Sequence, residues 1–461
     1  MLENIFEGTK KCFPAGEHIE LRAQESKSRR LSLIDGNIMG NSRSETSGIC
    51  ARVYRGGFYG FASSSEYNEA SVSEVLAAAR KNADFMSGHL SSSKKQFAWL
   101  PGGFTDTARE YSDPEQKYYL DFLREIDNYV AERYKKLKSR IISGNSDSRE
   151  KLLVVSDGRG YHDISPRSYM YVTMCDEDGE GKPVELTEVF GGFGSFDMNF
   201  INPADCFAKI DGLYERIMRK KEAVYADAGV KTCILNPLLT GMLAHEAVGH
   251  TVEADLVIAG SVAGPNLGKT VASEKISLVD FASEAFGKRA PLPVYVDDEG
   301  TPAKDALIID RGQLVGFMNS RESAEHYNME PCGNARAFAY SDEPLIRMRN
   351  TAVLPGTDKI EDMIASVEDG YYLTDTNNGQ ADTTGEFMFG VTMGYEIRHG
   401  KLGRAIKDTT ISGVAFDMLK TVDMVSDEME WQSSGYCGKK QPMPVGMGGP
   451  SVKCRVSIGG R

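Results

Sequence analysis

Residues 244–250 read Ala-His-Glu-Ala-Val-Gly-His, which places two imidazoles, His245 and His250, around one carboxylate, Glu246. These are the parts of a hydrolytic metal site: imidazoles hold a zinc ion, and a carboxylate takes a proton from water. The chain has only seven histidines, and two of them fall here. The spacing is not the common one. In a His-Glu-x-x-His pattern the histidines stand four apart, about 40° around a helix, whereas five apart is about 140°. For His245 and His250 to share an ion, the helix must widen into a π turn or unwind near Gly249.

A catalytic zinc site needs a third protein ligand and an open position. Carboxylates are too numerous to choose among. His326 follows a short helical run, and His399 sits in a hairpin turn. Cys233 lies in an apolar strand, and Cys454 alternates with Val452 and Val456 as on the buried face of a strand. Cys437 lies in Ser434-Gly435-Tyr436-Cys437-Gly438, where the glycines let the backbone approach closely. This favours Cys437, a thiolate being a good zinc ligand, and leaves the others open. Glu253 and Asp255 follow the pair and are positioned to orient a ligand histidine, or are solvated acids beyond a helix end.

The elements that position these groups can be read outward. Asn236 is an N-cap residue and Pro237 suits the first helical position, so a helix starts there with Leu238, Leu239, Met242 and Leu243 on one apolar stripe. A strand over 232–235 feeds it. Upstream, residues 1–65 begin with a short helix and continue in strands. Alternation at 19–23 and 30–34 ends in the turn Asp35-Gly36, and runs at 49–54 and 58–62 flank Gly56-Gly57. Helices are predicted over 71–85, 113–134 and 203–223, strands at 141–143, 152–156, 168–175 and 184–190, and an irregular linker over 87–112. Downstream, hairpins are predicted at Asp310-Arg311-Gly312, between runs at 306–309 and 314–318, and at His399-Gly400-Lys401. A helix is expected over 414–425 and a last strand over 452–458. The class is α+β: an N-terminal α/β domain of antiparallel strands with helices, residues 1–225, and a C-terminal, mainly antiparallel β domain, residues 226–461, carrying the metal-binding helix.

The 461 residues suffice for two or three domains with a sizeable core. Net charge is −13, which disfavours direct binding to nucleic acid. The N-terminus lacks a signal-peptide pattern, no apolar run is long enough to span a membrane, and the eight cysteines are scattered without a Cys-x-x-Cys pair. A cytoplasmic protein with reduced thiols is the expectation.

Residues 243–255, Leu-Ala-His-Glu-Ala-Val-Gly-His-Thr-Val-Glu-Ala-Asp, resemble the signature of the TldD/PmbA family, in its TldD branch with a His-Glu-x-x-x-His motif. Residues 297–302, 333–336, 347–351, 385–391 and 435–439 agree with it in order, and the likeness is densest from 232 onward. The resemblance implies a two-domain zinc peptidase acting on peptides or unfolded polypeptide segments. Its metal ligands would be His245, His250 and Cys437, with Glu246 as catalytic base. It also implies a heterodimer with a PmbA/TldE-like paralogue, or a homodimer. Arg349 departs from the small residue usual at its position. The rival reading is a non-catalytic regulatory or interaction subunit, and Glu246 separates the two, since a purely structural zinc site needs ligands but no base. A cysteine hydrolase built on Cys437 leaves the His245/His250 pair unexplained.

Overall fold

The computed structural model describes residues 13–14, 16–66, 68–91, 95–97, 100–109, 111 and 113–459. The short helix expected near the N-terminus lies outside the described residues. A seven-stranded sheet forms the first half: β1 (His18–Ile34), β2 (Asn37–Arg55), β3 (Phe58–Ser64), β4 (Phe104–Asp106), β5 (Ser139–Val155), β6 (Gly160–Glu177) and β7 (Pro183–Phe193). The order is β3-β2-β1-β5-β6, with β4 and β7 both on the outer edge of β6.

The strands are longer than alternation alone predicts. The runs at 19–23 and 30–34 are two ends of one strand, and those at 141–143 and 152–156 likewise belong to β5. Their polar middles carry no alternation, yet their backbones pair continuously, Ser26 opposite both Thr46 and Arg149. Asp35-Gly36 and Gly56-Gly57 form the two turns, all four residues at positive φ, which suits tight hairpins. Within the expected linker, the helix Glu69–His89 runs further than read, and Phe104–Asp106 pairs with Gly160–His162.

One end of the sheet packs under Glu69–His89, whose Val72, Val75, Leu76 and Ala79 meet Ile19, Leu21, Ala23, Ile49, Ala51 and Val53. The other end packs under helices Gln116–Arg133 and Phe207–Lys221, through Phe122, Leu123, Ile126, Ile210, Leu213 and Ile217. Met393 and Tyr395 of the second half join that core.

In the second half, β8 (Gly229–Leu235) pairs with Asp369–Ala381 and Val452–Ile458. The strands Thr409–Val414 and Glu386–Arg398 continue the sheet, and pairing of Glu386–Arg398 with Asp369–Ala381 closes five strands into a barrel. A six-stranded sheet includes Leu278–Phe281, Ala306–Asp310, Asn350–Val353, Gly446–Gly449 and Glu430–Gln432. The whole is α+β. The helix expected over 414–425 is shorter, Ala415–Lys420, because Met424–Val425 is drawn into pairing with Val452 and Lys453. No helix among the described residues is long and apolar enough to cross a membrane.

Candidate metal centre

The helix that carries His245 and Glu246 sits between the barrel and the six-stranded sheet, touching both. Asn236 caps it, its side chain accepting from Leu239 N–H at 3.0 Å, with Pro237 at the first position. Leu239, Leu243, Ala244, Ala247 and Val248 are fully buried in the main core. The first turns, Pro237–Met242, are α-helical; Leu243–Gly249 is π-helical, and the His250 N–H donates to the His245 carbonyl. An i→i+5 bond inserts one extra residue into the turn. That stacks positions five apart and brings the His245 and His250 rings to a centroid separation of 5.2 Å.

Gly249 is where this turn leaves no room. A Cβ there would lie 2.2 Å from Met348 Sδ and 3.1 Å from the Ala244 carbonyl oxygen. Beyond it, His250–Val252 forms one 3-10 turn. The exit is then clamped by Met318, whose N–H donates to Val252 at 3.0 Å and whose carbonyl accepts from Ala254 at 3.1 Å. The apolar run predicted as a strand over 314–318 is a strand only at Gln313–Leu314; its end makes this clamp.

The hairpin of Tyr436–Lys439 with Gln441–Pro444 brings Cys437 to the same place. Ligand atoms of His245, His250 and Cys437 all lie within 4.8 Å of one another, with Cys437 Sγ 3.4 Å from His250 Nε2. Both ring nitrogens of His245 are buried and lack a hydrogen-bond partner in the protein. A buried polar atom without a partner is costly, and a metal ion would supply one. Two imidazoles and a thiol are a donor set that zinc accepts, so the residues present fit the group.

The surroundings orient these side chains. Glu253 Oε2 lies 2.9 Å from His250 Nδ1, which leaves Nε2 facing Cys437. Lys439 donates to Asp255 at 2.7 Å and to the Ile346 carbonyl at 3.1 Å, and stands 3.4 Å from Glu253. Arg347, fully buried, donates to the carbonyls of Cys437, Gln441 and Lys439 and so holds the hairpin. Neither Arg347 nor Lys439 stands out in the sequence as part of a site; both lie in the quoted motifs, and only the fold shows what they touch.

The Glu246 carboxylate lies 3.5 Å from His250 Nε2 and 3.9 Å from His245 Nε2, and is partly open to solvent. Burial raises its pKa above the ordinary carboxylate value, opposed by His250. Burial, with the cations of His250 and Arg347 adding, holds His245 well below its ordinary value. Burial also pushes His250 down, but hydrogen bonds to Cys437 and Glu253 and their charge outweigh it and carry the ring to about 10.

The remaining candidates fall elsewhere. Cys233 and Cys454 face each other across two barrel strands in the core. His399 lies on the surface beside Glu368, and His326 stacks edge-on against Tyr327. His18 pairs with Glu20 at 2.9 Å and His162 with Glu150 at 3.0 Å. Arg349 is buried against Asp280 at 2.8 Å, both fully inaccessible, so it braces the six-stranded sheet.

The sequence matches the PmbA/TldA metallopeptidase C-terminal domain over residues 228–460 and the PmbA/TldA metallopeptidase domain 1 over residues 19–83. It is 31% identical to a metalloprotease of Methanocaldococcus jannaschii, over 98% of this chain and 99% of that one. The chain belongs to the PmbA/TldD metallopeptidase family. The enzyme class is therefore that of a peptidase. A zinc metalloprotease TldD homolog of Saccharolobus solfataricus is 29% identical over 68% of each chain. Among solved structures, TldE from Thermococcus kodakarensis superposes with a TM-score of 0.77 at 19% identity, covering 100% of both chains, and so shares the fold.

Proposed function

We propose that this chain is a zinc-dependent peptidase that hydrolyses peptides or unfolded polypeptide segments, with zinc held by His245, His250 and Cys437 and Glu246 as the base. The observation that carries the reading is the buried, unpartnered ring of His245 within 4.8 Å of two further donor atoms, beside the Glu246 carboxylate. The zinc metalloprotease name of the Saccharolobus solfataricus relative supports the choice of metal. When bound there, zinc would supply Lewis acidity toward a carbonyl oxygen and a water.

The chain's own residues do the rest. Glu246 accepts the proton of the attacking water at its carboxylate and later returns it to the leaving amine. Its raised pKa suits both halves of that exchange, because a weakly acidic carboxyl holds a proton long enough to give it back. Glu253 fixes the His250 ring so that Nε2 points at the centre, and Lys439 holds Glu253 and Asp255 against the hairpin. The same proposal includes pairing with a PmbA/TldE-like paralogue, or with a second copy, supported by family membership and by the fold shared with TldE.

Glu246→Gln tests the mechanism. The amide nearly keeps the shape but cannot accept a proton at neutral pH. The variant should retain metal and fold and lose about 10²–10⁴-fold in peptide hydrolysis, followed by mass spectrometry of fragments with any partner present. Wild-type rates from the metal-loaded variant would sink the mechanism. Peptide binding without cleavage by the wild-type complex would point instead to a regulatory subunit.

A further inference from the structure

A cavity lies where the N-terminal sheet meets the second half, lined by Arg149, Lys151 and Arg167 on one side and Arg336, Met443 and Pro444 on the other. Met443 and Pro444 are the cross-strand partners of Cys437 and Tyr436, so the cavity adjoins the hairpin that carries Cys437. Arg167 Nη2 also donates to the Tyr436 hydroxyl at 2.7 Å, which ties the cavity wall to the residue before Cys437.

Four cations line the cavity against three carboxylates, and among the described residues only Asp298 of the three takes an ion pair: Asp163 accepts from the Thr107 and Ser165 hydroxyls, and Asp297 from the backbone N–H groups of Glu299, Thr301 and Ala335. Arg149 and Arg167 share one carboxylate, Asp147, at 3.4 and 2.6 Å. Lys151 shares Asp298 with Arg22, at 2.8 and 3.3 Å. Among the described residues Arg336 makes no ion pair; its Nη1 donates to the carbonyls of Met348 and Pro444, at 2.5 and 3.2 Å. Arg167 is only 2% exposed, and its Nη1 has no hydrogen-bond partner; Arg149 Nε is buried and equally unpartnered. Burial, with Arg347 adding, pushes Arg336 down to about 9, against the opposing pull of Asp298 and Asp280. Buried guanidinium groups with spare N–H donors match the two oxygens of a carboxylate.

We propose that this cavity is a carboxylate-recognition subsite, taking a carboxylate of the peptide, at its C-terminus or on an acidic side chain, and so setting which bond reaches the metal centre. The assignment to a peptide rests on the peptidase reading above; the preference for a carboxylate does not.

The test uses the full chain with any natural partner. First, thermal unfolding of the wild type is followed while N-acetylglycine or N-acetylglycinamide is titrated. The acid should raise the midpoint with concentration and the amide should not. Arg149→Gln and Arg336→Gln should each weaken that effect at least tenfold. Second, peptides of one sequence are titrated against Glu246→Gln as the free acid, as the C-terminal amide, and as an amide with one internal glutamate. A charge-assisted pair is worth about ten- to a hundredfold in affinity, so the form that supplies the carboxylate should bind tighter by that factor. Preference for the free acid assigns the C-terminus; preference for the glutamate peptide assigns the side chain. Equal responses to acid and amide in the wild type overturn the subsite, whatever the variants do. Selection of N-acetylglycine by a protein that neither binds nor cuts any peptide keeps the subsite and removes the peptidase reading.

Discussion

Three donor atoms define the proposed centre at the level of single residues, and they come from different stretches of the chain. Cys437 lies in a hairpin strand where Arg347 holds its carbonyl at 2.7 Å, whereas Cys454 stands opposite Cys233 in the barrel wall. Burial pushes the Cys454 thiol well above its ordinary pKa, so it stays protonated and is a poor ligand. Cys437→Ser should therefore lose metal and Cys454→Ser should keep it, as measured by elemental analysis after gel filtration. Equal retention by both would remove Cys437 from the ligand set. Glu253 makes a finer prediction. Partners that hold a ligand histidine typically contribute 10–100-fold in metal affinity. Glu253→Gln should weaken metal binding by about that factor in a chelator competition while leaving Cys437 and both histidines in place. An unchanged affinity would reduce Glu253 to a structural acid.

The π-helical turn Leu243–Gly249 is the element that decides whether the two histidines meet. It costs a regular hydrogen-bond ladder, and the chain accepts that because every residue of the turn but Glu246 is buried and the Met318 clamp holds its exit. Gly249 is the point of closest packing. Gly249→Ala forces a methyl group against Met348, and overpacking of this kind typically costs about 1–3 kcal/mol. The variant should unfold at a lower temperature and bind metal more weakly, with Gly249→Val worse in both respects. Full stability and full affinity in the valine variant would show that the turn yields freely.

At the scale of the whole molecule, a buried ionic seam joins the two halves. Arg52 reaches Glu20 at 2.8 Å within the N-terminal sheet and Glu299 at 2.7 Å across the seam; Lys151 reaches Asp298 at 2.8 Å, and the Tyr161 hydroxyl donates to Asp298 at 2.7 Å. Removing one member of such a set leaves an uncompensated buried charge, which typically costs about 3–5 kcal/mol. Asp298→Asn strands Arg22 and Lys151 and should lower the unfolding midpoint far more than an exposed substitution such as Asp417→Asn. Acid acts on the same seam. Burial raises the pKa values of Glu20 and Asp298, but Arg52 and His18 outweigh it at Glu20, and Lys151 and Arg22 at Asp298, so both lie below their ordinary values of 4.5 and 3.8. Folded-state values depressed in this way add stability above the ordinary values, and that stability is lost as the pH falls below them. The midpoint should drop steeply below about pH 4.5, and the Asp298→Asn variant, already without one of these carboxylates, should show a shallower drop.

Much of the centre was legible from local chemistry. The His-Glu spacing demanded a widened helix because five residues do not close an α turn, and the Asn236-Pro237 start follows from capping alone. Turns at Asp35-Gly36 and His399-Gly400 were legible because positive φ restricts which residues fit. Helices at 71–85 and 113–134 were legible because one apolar stripe repeats along them. Strand lengths were not, because the polar middles of β1 and β5 are held by backbone pairing, which leaves no mark on side-chain pattern. The glycines around Cys437 favoured it over Cys454 in the sequence, and only the fold shows that its hairpin stands beside His250. Arg336, Arg347 and Lys439 lie in the stretches that carry the family resemblance, but their residue types gave no sign of what they touch. Their roles depend on which carbonyls and carboxylates the fold sets against them, and apart from Met348, 12 residues from Arg336, those partners lie about 90 or more residues away along the chain.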